Sequence, residues 1–301
     1  MIVCGTDFSE AATIAANSAA CLANMTGEAL QIVCASGEID VLAGSGEFAR
    51  DDASPLTTQE RLHSEIVRLH RFGAHVDGEV DPAAPDRALL ERAKLKSTSL
   101  LVLGAVGHTL VERVLLGSVA ERVAMESVKP VLVVRDMEPW ERWSTGKGGL
   151  RVMLAFDVGT SASAALEWVR KLRRLGDMQL TICWVVNPAH ENQRVGASGE
   201  GAGIELLPKC LDTLWHEFRK MVGEEAKNPA TELRLEPSLG RVDSALTQLA
   251  SETKQDLLVV GSHQRHGFER FWHSSVSRAV LRHAEMSVAV VAGGVGVTAQ
   301  G

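Results

Sequence analysis

No CxxC pair occurs among the five cysteines of this 301-residue chain (Cys4, Cys21, Cys34, Cys183 and Cys210), and their odd number excludes a fully paired disulfide framework. They read as reduced, mostly buried thiols, with no structural zinc site among them. Basic residues are in the minority, 31 Lys and Arg against 38 Asp and Glu, for a net charge of -7. A nucleic-acid-binding face normally needs the opposite balance, so no DNA or RNA partner is expected. No stretch approaches 18 continuous apolar residues, and neither a basic region nor a long apolar run stands before Ile2-Val3-Cys4. No membrane association is expected, and the expected location is the cytoplasm. Gly146-Lys147 lacks the upstream glycine and downstream Ser or Thr of a Walker A loop. No Ser-His-Asp or Cys-His arrangement stands out by spacing, so no catalytic residue is assigned. His263, His266, His273 and His283 lack the carboxylate or thiolate companions of a zinc site and read as surface or turn residues.

The chain is 45% apolar and 23% charged, which is ordinary globular material, long enough for two domains of about 150 residues. An internal repeat supplies them. Leu100-Leu101-Val102-Leu103-Gly104 returns as Leu257-Leu258-Val259-Val260-Gly261, shifted by 157 positions. The same shift carries Ser118-Val119 onto Ser275-Val276 and Val131–Val134 onto Val288–Val291, and the opening Asp7-Phe8-Ser9 finds its partner at Asp157-Val158-Gly159. Residues 1–136 and 150–294 are therefore read as two domains, 137–149 as a linker without sustained period, and 295–301 as a tail.

Short apolar runs alternate with longer amphipathic ones in each half, the pattern of a parallel sheet covered by helices on both faces. Strands are expected near 2–6, 29–35, 74–80, 99–103 and 130–134, with helices near 9–26, 57–72, 84–96 and 118–127. The second half repeats the strands near 151–156, 179–185, 231–236, 256–260 and 287–291. The runs are rich in Val, Ile and Leu without clean alternation, as befits strands buried on both faces. The fold class is α/β: two tandem doubly wound domains, each a five-stranded, mainly parallel sheet flanked by helices. The glycine-rich stretch from Asn187 to Gly203 reads as a flexible loop. Trp168, Trp184, Trp215 and Trp272 read as core or interface residues.

In such a sheet, ligands bind at the carboxyl ends of the strands where the strand order reverses. Asp7 follows the first strand, and the segment from Gly104 to Ser118 follows the fourth, with glycines at 104, 107 and 117. Glycine lets backbone approach phosphate oxygens closely, and the amides at a helix start attract anions. Bland alternatives exist for each. Ser118 and Glu121 form a Ser-x-x-Glu capping box, Gly104 and Gly107 could be turn residues only, and Asp7 could cap the first helix.

The pattern Gly-x2-Gly-x9-Gly-Ser, preceded by Asp7 in Val3-Cys4-Gly5-Thr6-Asp7-Phe8-Ser9, resembles the ATP-binding signature of the universal stress protein family, over nearly the whole chain and twice. The resemblance implies an adenine nucleotide α-hydrolase-like fold, ATP as ligand, Asp7 on the nucleoside, and Gly104, Gly107, Gly117 and Ser118 on the triphosphate. Magnesium would accompany ATP, although no specific motif for it is present. The family's usual proline just before this aspartate is missing, with Cys4-Gly5 in its place. In the second half the segment is Gly261-Ser262-His263-Gln264, then nine residues to Ser274-Ser275. Only the first glycine and the final serine survive. Asp157, Gly261, Ser275 and Arg278 make a degenerate second site there, with weak or absent ATP binding expected.

The implied function is that of a nucleotide-responsive regulator in stress response. A slow ATPase, and a scaffold or small-ligand carrier using the second half, stay open as alternatives. The last strand of each half is apolar and expected at a sheet edge. An internal pseudo-dimer joined through Val131–Val134 and Val288–Val291 is expected, and further homodimerisation stays open.

Overall fold

The computed structural model describes residues 1–35, 56–105, 116–157, 159–262 and 273–293. The chain divides into two compact units between Gly148 and Gly149. The first contains strands β1 (Ile2–Thr6), β2 (Leu30–Ala35), β3 (Val76–Asp81), β4 (Leu100–Gly104) and β5 (Val131–Val134). Its helices are α1 (Glu10–Thr26), α2 (Thr58–Leu69), α3 (Pro85–Ala93), α4 (Ser118–Glu126) and α5 (Glu138–Ser144). The second contains β6 (Leu150–Ala155), β7 (Met178–Val186), β8 (Thr231–Pro237), β9 (Leu257–Ser262) and β10 (Ser287–Ala292). Its helices are α6 (Thr160–Arg173), α7 (Pro188–Arg194), α8 (Pro208–Val222), α9 (Val242–Glu252) and α10 (His273–His283).

Within the first unit the strand order is β3-β2-β1-β4-β5, all parallel, with Cys4 in register with Ile32 on one side and Val102 on the other. Within the second it is β8-β7-β6-β9-β10, again all parallel. Both are doubly wound α/β sheets. The order reverses between β1 and β4 in one unit and between β6 and β9 in the other, which fixes where a ligand crevice opens. Inner strands are apolar on both faces because helices cover both; Val3, Leu101, Val102 and Leu132 are all fully buried. Strands β3 and β8, each at one edge of its own sheet, depart from this. They alternate charge, Asp77, Glu79 and Asp81 in one and Glu232, Arg234 and Glu236 in the other, which discourages another strand from adding to that edge.

Helix α1 starts at an N-cap, Ser9, whose hydroxyl accepts from the Ala12 amide at 3.1 Å, and ends at Gly27 in the left-handed region (φ 69°). Its buried residues include Ala12, Ala15, Ala16, Ala19, Ala20 and Ala23. Small side chains recur nearly all round because α1 is covered twice, by the sheet on one side and by α5 on the other. The stretch 137–149, read from sequence as a linker without period, thus contains a helix. Its Trp140 and Trp143 are buried edge to face, with ring centroids 6.4 Å apart, and Ser144 meets the Cys21 thiol on α1. Seven residues are too few to show a helical period, and the two tryptophans that fix the segment do so by tertiary packing.

The stretch 187–203 is likewise more ordered than a flexible loop. Asn187 caps α7 by accepting from the His190 amide at 3.1 Å. The buried Asn192 side chain then gathers the glycine-rich turns, donating to the carbonyls of Ala202 (2.8 Å) and Glu205 (2.7 Å) and accepting from the Leu207 amide (3.1 Å). One side chain satisfying three backbone groups replaces the ladder that a loop lacks. All five cysteines are buried and free. Trp184 is buried and Trp168 and Trp215 are half-buried, while Trp272 lies outside the described residues. No helix among the described residues is long and apolar enough to cross a membrane.

Candidate functional site

At the reversal between β1 and β4 the first unit opens a cavity of about 390 Å³. That falls in the range of roughly 300–1,000 Å³ usual for small-molecule sites. Asp7, Gly104, Gly117 and Ser118 all line it; Gly107 lies outside the described residues. Its inner wall is apolar, formed by Val33, Ala35, Leu89 and Leu103, with Pro85 at the start of α3. Its outer wall is the first turn of α4.

That turn is built to present amides. The N-cap is Gly117, with no side-chain cap bond, and the Gly117 amide donates instead to the carbonyl of Ala105 at 2.7 Å. Ala105 in turn donates to the Val134 carbonyl at 3.1 Å, so the helix start is tied to the ends of β4 and β5. Ser118, Val119 and Ala120 are the first three helical residues, whose amides have no partner within a helix, and all three line the cavity. The first amide used inside the helix is that of Glu121, which donates to Gly117 at 3.0 Å. The capping-box alternative fails here, because Ser118 is exposed and stands one position inside the N-cap.

Asp7 does not cap α1 either, since Ser9 does. Its Oδ1 accepts from the Ser9 amide at 3.0 Å, a side-chain turn that brings the carboxylate to the cavity mouth. Between them Phe8 adopts φ 61°, a left-handed conformation rare for an aromatic residue. It is held by its amide donating to Thr6 Oγ1 at 3.0 Å and by the Arg61 guanidinium 4.5 Å above its ring. Nothing in the linear pattern announced Phe8 or Arg61. Helix α3 is anchored to β3 by Arg92, which pairs with Asp81 at 2.6 Å and Glu79 at 2.8 Å. This keeps Pro85 and Leu89 against the cavity.

The glycines differ in what they do. A Cβ on Gly104 would stand 2.7 Å from the carbonyl carbon and oxygen of Ala11, inside the backbone of α1. Gly104 therefore lets α1 lie flat on β4, and its place in the cavity wall follows from that packing. Gly261 repeats the arrangement, its Cβ position lying 2.8 Å from Ser161 Cβ and 2.9 Å from the Ser161 carbonyl on α6.

The equivalent cavity of the second unit measures about 200 Å³. Asp157 and Gly261 line it, whereas Ser275 and Arg278 are not among its lining residues and are exposed on α10. Asp157 repeats the Asp7 turn, its Oδ1 accepting from the Gly159 amide at 2.8 Å. Two buried serines line this cavity, Ser161 on α6 and Ser277 on α10, the latter donating to the Gly261 carbonyl at 2.8 Å. Gln264 lies outside the described residues, as do His263 and His266; among the described residues no group of three or more His, Cys, Asp or Glu could hold a metal ion.

Comparison with known proteins supports the reading that the repeat suggested. The chain is 39% identical over 77 residues to universal stress protein MJ0531 of Methanocaldococcus jannaschii, a match covering 26% of this chain and 45% of that protein. It is 25% identical over 228 residues to a universal stress protein of Mycolicibacterium smegmatis, covering 73% and 69% of the two chains. Among solved structures, a universal stress protein from Archaeoglobus fulgidus shares the fold with a TM-score of 0.68 at 17% identity, over 97% of this chain and 98% of that one. The universal stress protein family model matches residues 1–135 and again 150–292, so the chain belongs to that family and carries its domain twice.

Proposed function

We propose that the first unit binds an ATP-type nucleotide and that the protein acts as a nucleotide-responsive regulator. The observation that carries this reading is the cavity of about 390 Å³ with two chemically distinct walls. Val33, Leu89 and Leu103 offer an apolar face for a base, and Asp7 at the mouth offers a carboxylate to hydroxyl or amino donors of the nucleoside. The three amides of Ser118, Val119 and Ala120 converge on the outer side, where the α4 dipole favours phosphate oxygens. The residues therefore fit the nucleotide on the evidence of donor chemistry as well as volume. Magnesium would come with the phosphates, held chiefly by them.

Hydrogen exchange on the full chain tests the assignment. ATP is expected to slow exchange in the peptides spanning residues 5–12 and 116–122 and to leave 273–283 unchanged; ATP with no effect on 116–122 would overturn it. The internal pairing of Val131–Val134 with Val288–Val291 is part of the same proposal, motivated by two fully apolar strands each placed last in its own sheet. Fast exchange in both strands, with or without nucleotide, would remove it.

A further inference from the structure

Between α3 and its sheet the first unit is filled by a polar network. Arg92 pairs with Glu79 and Asp81, and Gln31 Nε2 donates to Glu79 at 3.3 Å. The second unit has replaced its members. The shift of 157 puts Leu249 where Arg92 stands, and the strand registers put Thr181 and Arg234 where Gln31 and Glu79 stand. An aliphatic side chain, a shorter hydroxyl and a reversed charge do not rebuild the network. At the amino ends of β6, β7 and β8, beside the end of α9, a polar cavity of about 530 Å³ opens instead, a volume usual for small-molecule sites. It lies at the opposite end of these strands from the crevice that holds Asp157.

Some of the polar groups around it are already used. Arg151 is held by Asp256, with nitrogen–oxygen distances of 2.8 and 3.3 Å. Thr231 Oγ1 lies between Arg173 (2.9 Å) and Glu225 (3.3 Å), and Thr253 Oγ1 donates to the Leu249 carbonyl at 2.7 Å. Others are uncommitted. Thr181 is nine-tenths buried (9% exposed) and lines the cavity, yet its hydroxyl makes no hydrogen bond among the described residues. A hydroxyl that deep normally has a partner. Gln255 gives its nitrogen to Thr253 Oγ1 at 3.1 Å, and its buried oxygen has no partner. Arg234 meets Glu236 through Nε alone, at 3.2 Å, and its two terminal nitrogens make no hydrogen bond among the described residues. Glu232, in register with Thr181, makes no ion pair among them either. Glu232 and Arg234 are two apart on one strand, so both sit on the cavity face, about 7 Å from one another along the backbone.

From this arrangement we propose that the cavity binds a small zwitterion, an α-amino acid with a polar side chain. Its carboxylate lies on the terminal nitrogens of Arg234, its ammonium on Glu232, and its side chain on the Thr181 hydroxyl. A simple anion would meet the Glu232 carboxylate beside Arg234, and a simple cation would meet the guanidinium beside Glu232. A molecule carrying both charges close together satisfies both, and charged partners make the stronger hydrogen bonds. The proposal does not rest on nucleotide binding by the first unit.

The test is calorimetric titration of the full chain, without nucleotide, with L-glutamine and L-serine as probes. Two analogues of glutamine lack one charge each: N-acetyl-L-glutamine has no ammonium and 4-aminobutanamide has no carboxylate. One site per chain is expected for an amino acid, with both analogues at least about tenfold weaker. Arg234→Gln and Glu232→Gln are each expected to weaken the amino acid by about tenfold or more, and Thr181→Val several-fold. Arg234 and Glu232 are at least partly exposed, so the unfolding midpoint of these two variants is expected to stay near that of the natural chain. No binding of either amino acid, analogues that bind as tightly as L-glutamine, or binding that survives Arg234→Gln would overturn the proposal.

Discussion

Gly104 and Gly117 belong to one spaced pattern and answer to different physical demands. Gly104 is required by the backbone of α1, 2.7 Å from where its Cβ would be. Gly117 holds φ -68° and ψ 143°, a conformation open to any residue, so its lack of a side chain matters for what approaches the amides beyond it. Gly104→Ala is therefore expected to destabilise the first unit by about 1–3 kcal/mol through overpacking, and Gly261→Ala to do the same to the second, as read by denaturant unfolding. An unfolding midpoint unchanged in both variants would refute the packing role. The sequence pointed to both glycines and assigned both to phosphate, because spacing does not reveal how closely a helix lies on a strand. One signal was available: Gly261 persists in the half that lost the other two glycines of the pattern. Asp7 and Ser118 were legible as cavity residues from their position after strands of a doubly wound sheet. Phe8 and Arg61 were not, since a left-handed aromatic and a guanidinium from α2 meet only once the chain is folded.

At the scale of elements, the strands were readable to within a residue or two because buried parallel strands leave continuous apolar runs. What escaped was order imposed from outside the segment. Helix α5 exists because Trp140 and Trp143 close over α1, and Trp140→Ala is expected to cost about 3–5 kcal/mol, a loss measurable by chemical unfolding. A cost below about 1 kcal/mol would mean that the segment is a linker after all. The Asn192 clasp had no sequence signature, since a buried asparagine reads the same as a surface one. The charged edge of β3 has its own consequence. The Ala83 amide donating to Asp81, with Arg92 beside it, holds this carboxyl below the usual carboxylate range despite partial burial. A depressed pKa contributes stability that is present above the unfolded value of about 3.9 and is lost as pH falls through the folded value. Asp81→Asn is thus expected to be less stable than the natural chain at pH 7, with the two unfolding curves converging below about pH 4. A gap independent of pH would show that the carboxylate charge is not what anchors α3.

Across the whole molecule, one architecture is used twice with two different floors to the crevice. Duplication explains why fold and topology could be read so fully from a repeat, while the smaller volume of the second cavity follows from side-chain packing, which no residue count fixes. The first unit keeps three amides unused within the helix at the head of α4 and about 390 Å³ before them; the second offers about 200 Å³, lined by Asp157, Ser161 and Ser277 among apolar side chains. The central claim is that this difference restricts nucleotide to one site in each chain. Calorimetric titration of ATP into the intact protein and into Gly117→Val measures it most directly. One site per chain, lost in the variant while its unfolding midpoint shifts by no more than about 1 kcal/mol of stability, is the predicted result. Two equivalent sites, or binding that survives the substitution, would contradict it.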